Sequence, residues 1–442
     1  MFRVATGTLS ASASGTADFT VSGFGTVAGA IVHINSSTGA SNPNTSPSPN
    51  FFSIGYYDGT NQISKSEHST DNESTTTEAW KYMMSDKIGH YVENSAGTPQ
   101  AEWSVSKITN GVRITTDVTD GTSYNCMVIL IPDTGVSNIK AFIQSWASGQ
   151  YDANETIHVT DLGFEADLVF GACGVNGGSD SKDDSIQTGW GFCHNVDGTN
   201  ANIEQCAMAF TVNDNRSLPS TWTSAFVSDQ YTIANVSNAS GIRYGVRLQN
   251  FDTSGFDVRK WDDESNVPPS TELIATFALE EDLLFLAIEF TGNPDIKVFA
   301  DGAPNATGSD ATTTPGFTPT FGMYYTPRLP TTIRNHLVSF TDSFAMTAFD
   351  ASTQATIGYL DQDAVSTTWC STYLDTGGIQ VYEDQNTSVY DASFTSFDAN
   401  GWTWNFSTAT DTTNADPWPA LAIGAADAGT PTTIIVPTGP LR

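Results

Sequence analysis

Apolar and polar positions alternate over short stretches along almost the whole chain. In Trp103-Ser104-Val105-Ser106 every second residue is apolar, Lys107-Ile108 leads into Asn110-Gly111, and Val112-Arg113-Ile114 resumes the alternation. A period of two places alternate side chains on opposite faces of a strand, and Asn-Gly between two such stretches is a hairpin signal, so this segment predicts a β-hairpin with one buried face. The same unit returns from Leu248 to Val258 and again from Ala392 to Trp404. Its turn glycines are Gly111, Gly255 and Gly401, spaced 144 and 146 positions apart. Self-similarity at a fixed spacing is the mark of repeated structural units.

Other segments recur in the same order, with an extra loop of about ten residues in the third unit. A Gly-Phe step precedes an apolar run at Gly23-Phe24, Gly163-Phe164 and Gly316-Phe317. Unbroken apolar runs, Met127 to Ile131, Leu283 to Ile288 and the weaker Ala420 to Ile423, read as buried strands near the end of each unit. Phe2-Arg3-Val4-Ala5, Ile139-Lys140-Ala141-Phe142 and Ile296-Lys297-Val298-Phe299 form a further strand that either opens one unit or closes the previous one. On the second assignment, Thr432 to Val436 closes the third unit. No stretch holds the i, i+3, i+4, i+7 pattern over three turns; residues 65–88 are the best place for a short helix, with a loop as the equal alternative. The expected fold is all-β: three tandem jelly-roll-like β-sandwich repeats over 1–137, 138–294 and 295–425, with a C-terminal strand or tail over 426–442.

Composition narrows the function. Charged residues are only 15% of the 442, while 10 Trp, 14 Tyr and 25 Phe supply enough large apolar surface for a folded chain. Lys plus Arg is 17 against 49 Asp plus Glu, a formal net charge of −32 that argues against binding nucleic acid or anionic lipid. No apolar run is long enough to cross a bilayer, and the first residues lack the apolar core of a signal peptide, so a soluble protein without Sec-type export is expected. The five cysteines, Cys126, Cys173, Cys193, Cys206 and Cys370, show no C-x-x-C spacing and read as reduced strand residues, with a disulfide among Cys173, Cys193 and Cys206 left open.

Candidate chemistry is sparse. The carboxylate groups Asp183-Asp184, Asp262-Asp263-Glu264 and Glu280-Glu281-Asp282 have no counterparts across the units and read as solvated surface, not as the paired acids of a glycosidase. The loops Asp58-Gly59-Thr60-Asn61, Asn195 to Asn200 and Ser179 to Asp184 carry oxygen ligands suited to Ca²⁺, yet none has EF-hand spacing and Asp-Gly is itself turn chemistry. His33, His68, His90, His158, His194 and His336 stand alone, with no nucleophile elbow or phosphate loop nearby. No catalytic residue, cofactor or metal is therefore expected. Trp402, Trp404 and Phe406 share one strand face and form either a glycan-stacking platform or a wall of the core; Val112 and Phe256, at or beside the equivalent position, favour the core.

The run Ser53-Ile54-Gly55-Tyr56-Tyr57-Asp58-Gly59, with Ser85 to Ile88, Ala101 to Val105 and Asp391 to Phe406, resembles the tandem repeat of virion structural proteins of tailed bacteriophages. The resemblance covers nearly the whole chain as three copies, and the second departs from it at Gly189 to Cys193 and around Asp262 to Pro269. It implies a non-enzymatic part of the particle, assembled in the host cytoplasm. An exterior head decoration, head fibre or spike is the preferred expectation, and a tail accessory or receptor-binding protein recognising host carbohydrate is the alternative. The expected partners are a major capsid protein or tail proteins, copies of the same chain, and a host glycan.

Overall fold

A computed structural model describes residues 1–36, 50–69, 79–92, 98–145, 156–176, 182–184, 186–197, 202–212, 223–237, 241–261, 281–328, 336–339, 341–362, 369–383, 387–410 and 417–426. The first unit contains β1 (Arg3–Thr8), β2 (Thr16–Thr20), β3 (Val27–Asn35), β4 (Asn50–Tyr57), β5 (Gln62–Ser69), β6 (Ala79–Met84), β7 (Gly89–Val92), β8 (Pro99–Ile108), β9 (Gly111–Val118) and β10 (Asn125–Pro132). Its larger sheet runs β1-β10-β3-β4-β5-β6 and its smaller sheet β2-β9-β8-β7. β1 and β2 are consecutive but lie in different sheets, where they pair with β10 and β9; this double crossing is the rolled part of the sandwich, and the rest is meander.

The second unit repeats this with β11 (Val136–Gln144), β12 (Thr156–Val159), β13 (Leu168–Asn176), β14 (Lys182–Asp184), β15 (Ile186–Asn195), β16 (Ile203–Val212), β17 (Thr223–Ser228), β18 (Ile233–Ser237), β19 (Gly241–Asp252), β20 (Gly255–Trp261) and β21 (Glu281–Phe290). The third has β22 (Pro294–Gly302), β23 (Gly308–Thr312), β24 (Pro319–Pro327), β25 (His336–Ser339), β26 (Thr341–Asp350), β27 (Gln354–Gln362), β28 (Trp369–Asp375), β29 (Ile379–Tyr382), β30 (Ser388–Asp398), β31 (Gly401–Ala409) and β32 (Pro417–Ala426). The corresponding sheets are β11-β21-β13-β15-β16-β17 over β12-β20-β19-β18, and β22-β32-β24-β26-β27-β28 over β23-β31-β30-β29. The chain is all-β, three tandem sandwiches, with no α-helix among the described residues. Each strand of uncertain allegiance opens its unit: β1 pairs with β10, β11 with β21, and β22 with β32. Thr432 to Val436 lies outside the described residues.

Over 65–69 and 79–84 both the helix option and the loop option are overturned. Lys65 to Ser69 belongs to β5 and Ala79 to Met84 to β6, and the two pair antiparallel. Alternation explains the outcome, because Ala79 and Met83 join one cluster while Tyr82 and Met84 join another on the opposite face.

The inner strands of each large sheet are dry on both faces, while the opening strands β1, β11 and β22 are partly exposed. Along β10, Cys126, Val128 and Leu130 pack into the interior of the first sandwich, while Met127, Ile129 and Ile131 enter a second cluster. That second cluster also takes Leu284, Leu286 and Ile288 of β21 and Leu421 and Ile423 of β32. The three large sheets therefore turn their outer faces toward one another around a common core, and the small sheets lie outside. This is why the runs Met127–Ile131 and Leu283–Ile288 are unbroken, whereas an antiparallel sheet with one wet face would alternate.

Candidate functional site: the seams of the ring

The three units close in cyclic order, each seam built from strand edges that would otherwise expose unpaired backbone groups. β14, an arm of the second unit, extends the first unit's large sheet by pairing with β6. β25, the matching arm of the third unit, pairs with β17 of the second. The corresponding stretch of the first unit, 37–49, lies outside the described residues, but the residues flanking it reach β28 of the third. Asn35 Nδ2 donates to Tyr373 O (2.7 Å), Asn50 Nδ2 to Cys370 O (2.8 Å), and Ser36 Oγ lies 2.9 Å from Thr372 Oγ1.

At the other edge of each large sheet a carboxylate from the neighbouring unit accepts from an edge-strand N–H. Val4 N donates to Asp350 Oδ2 (3.0 Å), Ala141 N to Asp58 Oδ2 (3.1 Å), and Val298 N to Glu204 Oε2 (3.0 Å). Each carboxylate lies at or beside a hairpin turn: Asp350 ends β26, Asp58 stands between β4 and β5, and Glu204 is the second residue of β16. The residue before each donor is basic. Arg3 lies 3.5 Å from Asp350, Lys297 pairs with Glu204, and Lys140 instead donates to Asp161 O within its own unit. Burial raises the Glu204 carboxyl, but His194, Lys297 and the Val298 N–H outweigh it and hold it below its ordinary value. Such a charge-assisted bond is stronger than a neutral one.

One aromatic from each unit meets at the centre. Phe52 lies 5.8 Å from Trp190 and 5.2 Å from Phe344, and the last two are 4.8 Å apart, centroid to centroid. Beside them Lys65 is fully buried, 2.7 Å from Glu67 Oε1, bonded to Thr188 of the second unit and 5.7 Å from the Trp190 ring centroid. A separate apolar pit of about 50 Å³ lies where the chain start and the turns between units converge, lined by Phe2, Val136, Phe290, Pro294 and Ile423 among others.

The sequence candidates fall mostly elsewhere. Gly111, Gly255 and Gly401 open the second strand of the β8-β9, β19-β20 and β30-β31 hairpins. Positive φ at Gly401 is not found; in the first two hairpins it occurs at Asn110, Asn250 and Gly255. What demands glycine is closeness, since a Cβ on Gly111, Gly255 or Gly401 would lie 1.9, 1.7 or 1.9 Å from the carbonyl oxygen of Phe19, Val159 or Thr312. The Gly-Phe steps do use the left-handed region, with φ of 75°, 76° and 78° at Gly23, Gly163 and Gly316.

The glycan platform is corrected. Trp402, Trp404 and Phe406 are 0%, 1% and 3% exposed inside the third sandwich, packed with Tyr324, Phe349 and Trp418, so a sugar ring has no access to them. The solvated reading also fails at Asp282, which is buried; Asp262 to Glu280 lies outside the described residues. Asp58 is a turn former: Oδ1 accepts from Thr60 N and Asn61 N, and Oδ2 from Asn61 Nδ2 and Ala141 N. Among the described residues no group of three or more His, Cys, Asp or Glu is placed to hold a metal ion. All five cysteines are free and buried.

His158 is not solitary. Its Nδ1 lies 2.5 Å from Asp257 Oδ1 and its Nε2 3.4 Å from Ser254 Oγ, an order that imitates a hydrolytic triad. The imitation stops at Asp252, whose Oδ1 receives Ser254 Oγ (2.6 Å), Ser254 N (2.7 Å) and Gly255 N (3.1 Å). The hydroxyl proton points away from His158, and the two N–H groups that could hold an oxyanion are occupied, so the cluster works as a turn lock.

Sequence reasoning missed the seam residues, because Asp58, Glu204 and Asp350 look like ordinary turn acids. The available signal was a single basic residue, Arg3, Lys140 or Lys297, at the same place in each opening strand of a base-poor chain. No family model, curated protein or solved structure matches this chain.

Proposed function

We propose that this protein is a non-enzymatic structural component of a tailed-bacteriophage particle, carried on its exterior, with the head preferred over the tail. The observation that carries the reading is the closed ring of three like sandwiches. It presents three like outer faces about one core, so it can make three like contacts at once on a lattice of repeated subunits, and linked contacts gain strength through effective concentration. Seams sealed by strand addition and by carboxylates bonded to edge-strand N–H groups suit a rigid body more than a moving enzyme. The net charge of −32 favours an outward position over one lining a DNA passage. The alternative, a tail protein reading host carbohydrate, loses its main support with the burial of Trp402, Trp404 and Phe406.

Gold labelling of purified particles with an antibody to this chain, joined to copy number by quantitative mass spectrometry, tests the proposal. Label on the head surface with copies in the tens to hundreds is expected. Label confined to the capsid interior or tail tube, or absence from particles, overturns it.

A further inference from the structure

We propose that the seam between the first and second units is acid-sensitive: lowering the pH to about 5, below the ordinary range of histidine, releases β14 from β6 while the β17–β25 seam holds. His68 on β5 is 2% exposed, its ring 5.0 Å from Trp80 and 5.6 Å from Tyr91, and neither ring nitrogen has a hydrogen-bond partner. His90 on β7 is fully buried; Nε2 lies 3.1 Å from Tyr82 O and Nδ1 2.8 Å from Ser64 Oγ. With a carbonyl on Nε2, the neutral ring carries its proton there and accepts the serine hydroxyl at Nδ1. A second proton would remove that acceptor.

Both histidines lie directly behind the seam. Trp80 and Tyr82, the residues they touch on β6, stand opposite Asp184 and Lys182 of β14 in the register. The groups around the two rings are Ser64 on β5, Trp80 and Tyr82 on β6, Tyr91 on β7, and on β8 Glu102, which stands opposite His90 in the register and pairs with Lys87. The charged residues of these strands, Lys65, Glu67 and Lys81, fall on the opposite face by strand alternation. No carboxylate among the described residues is bonded to either ring, so nothing compensates a positive charge there. Burial accordingly lowers both histidines from 6.5 to about 3. A group with a depressed folded value leaves stability intact above 6.5 and removes it as the pH falls toward 3, and opening β6 to water relieves the cost. Behind β17 the cluster is Ala207, Ala209, Phe226, Tyr231 and Ala234, without a histidine. His336 at the start of β25 stands opposite Phe226 in the register.

Hydrogen exchange of the full chain at pH 7.5 and 5.0, corrected for the intrinsic pH dependence of exchange, tests this. The expected result is that β6 and β14 amides lose protection by at least about tenfold at pH 5.0 while those of β17 and β25 keep theirs. The variant His68→Phe/His90→Gln should keep β6 protected at both values, and His336→Gln should behave as wild type. Equal loss at both seams, no loss at β6, or an acid response unchanged in the double variant overturns the proposal. If the double variant does not fold at pH 7.5, the comparison of the two seams in wild type and His336→Gln decides alone.

Discussion

β9 and β10 follow one another in the chain, yet they live in different surroundings. β9 belongs to a small sheet: Val112, Ile114 and Thr116 are buried, and Arg113 between the first two is exposed. β10 belongs to a large sheet, and all eight of its residues are buried. The pattern of each strand records how many dry faces it has, and the difference separates an outer layer that tolerates change from a central layer shared by three units.

That contrast sets the size of mutational effects. Trp190→Ala, at the meeting of the three units, should cost about 3–5 kcal/mol, and Ser393→Ala on an exposed face of β30 less than about 0.5 kcal/mol; chemical denaturation checks both. A comparable effect for the two would erase the distinction between layers. Within the outer layer, Gly401→Ala puts a Cβ 1.9 Å from Thr312 O and should cost about 3 kcal/mol. Gly316→Ala meets no atom within 4 Å and bears only its positive φ, for about 1 kcal/mol. The reverse order in thermal melts would show that the hairpin is not held against its neighbour as described. Asp58→Ala, which unseats Ala141 N at one seam, should cost about 1 kcal/mol. Its exchange signature should be faster exchange at Ala141 with little change at Val4 or Val298.

The small-sheet hairpins were legible because alternation and turn chemistry are local properties, as at Trp103 to Ile114. The buried runs of β10 and β21 were legible as strands, but not as strands with two different partners. Central packing is a relation between segments about 150 residues apart, and a run such as Leu283 to Ile288 carries no mark of which apolar surface it meets. The arms were hidden for a related reason: Lys182-Asp183-Asp184 has the composition of a loop, and only the open edge of β6 makes it a strand. Lys65, Glu67 and Lys81 concealed β5 and β6, since charged residues in a dry layer break the apolar pattern that would announce it. The aromatic row Trp402, Trp404 and Phe406 was placed on one face correctly by its period; nothing local distinguishes a face that meets water from one that meets Tyr324 and Phe349.

The central claim is that three sandwiches form one closed ring around a shared core. Protease sites inserted in the turns at 133–135 and 291–293 allow the folded chain to be cut into its three units, and native mass spectrometry of the cut material measures what remains associated. The account predicts one particle near the intact 47.2 kDa, held by the common core and the three seams. Three separate species of roughly one third that mass would contradict it.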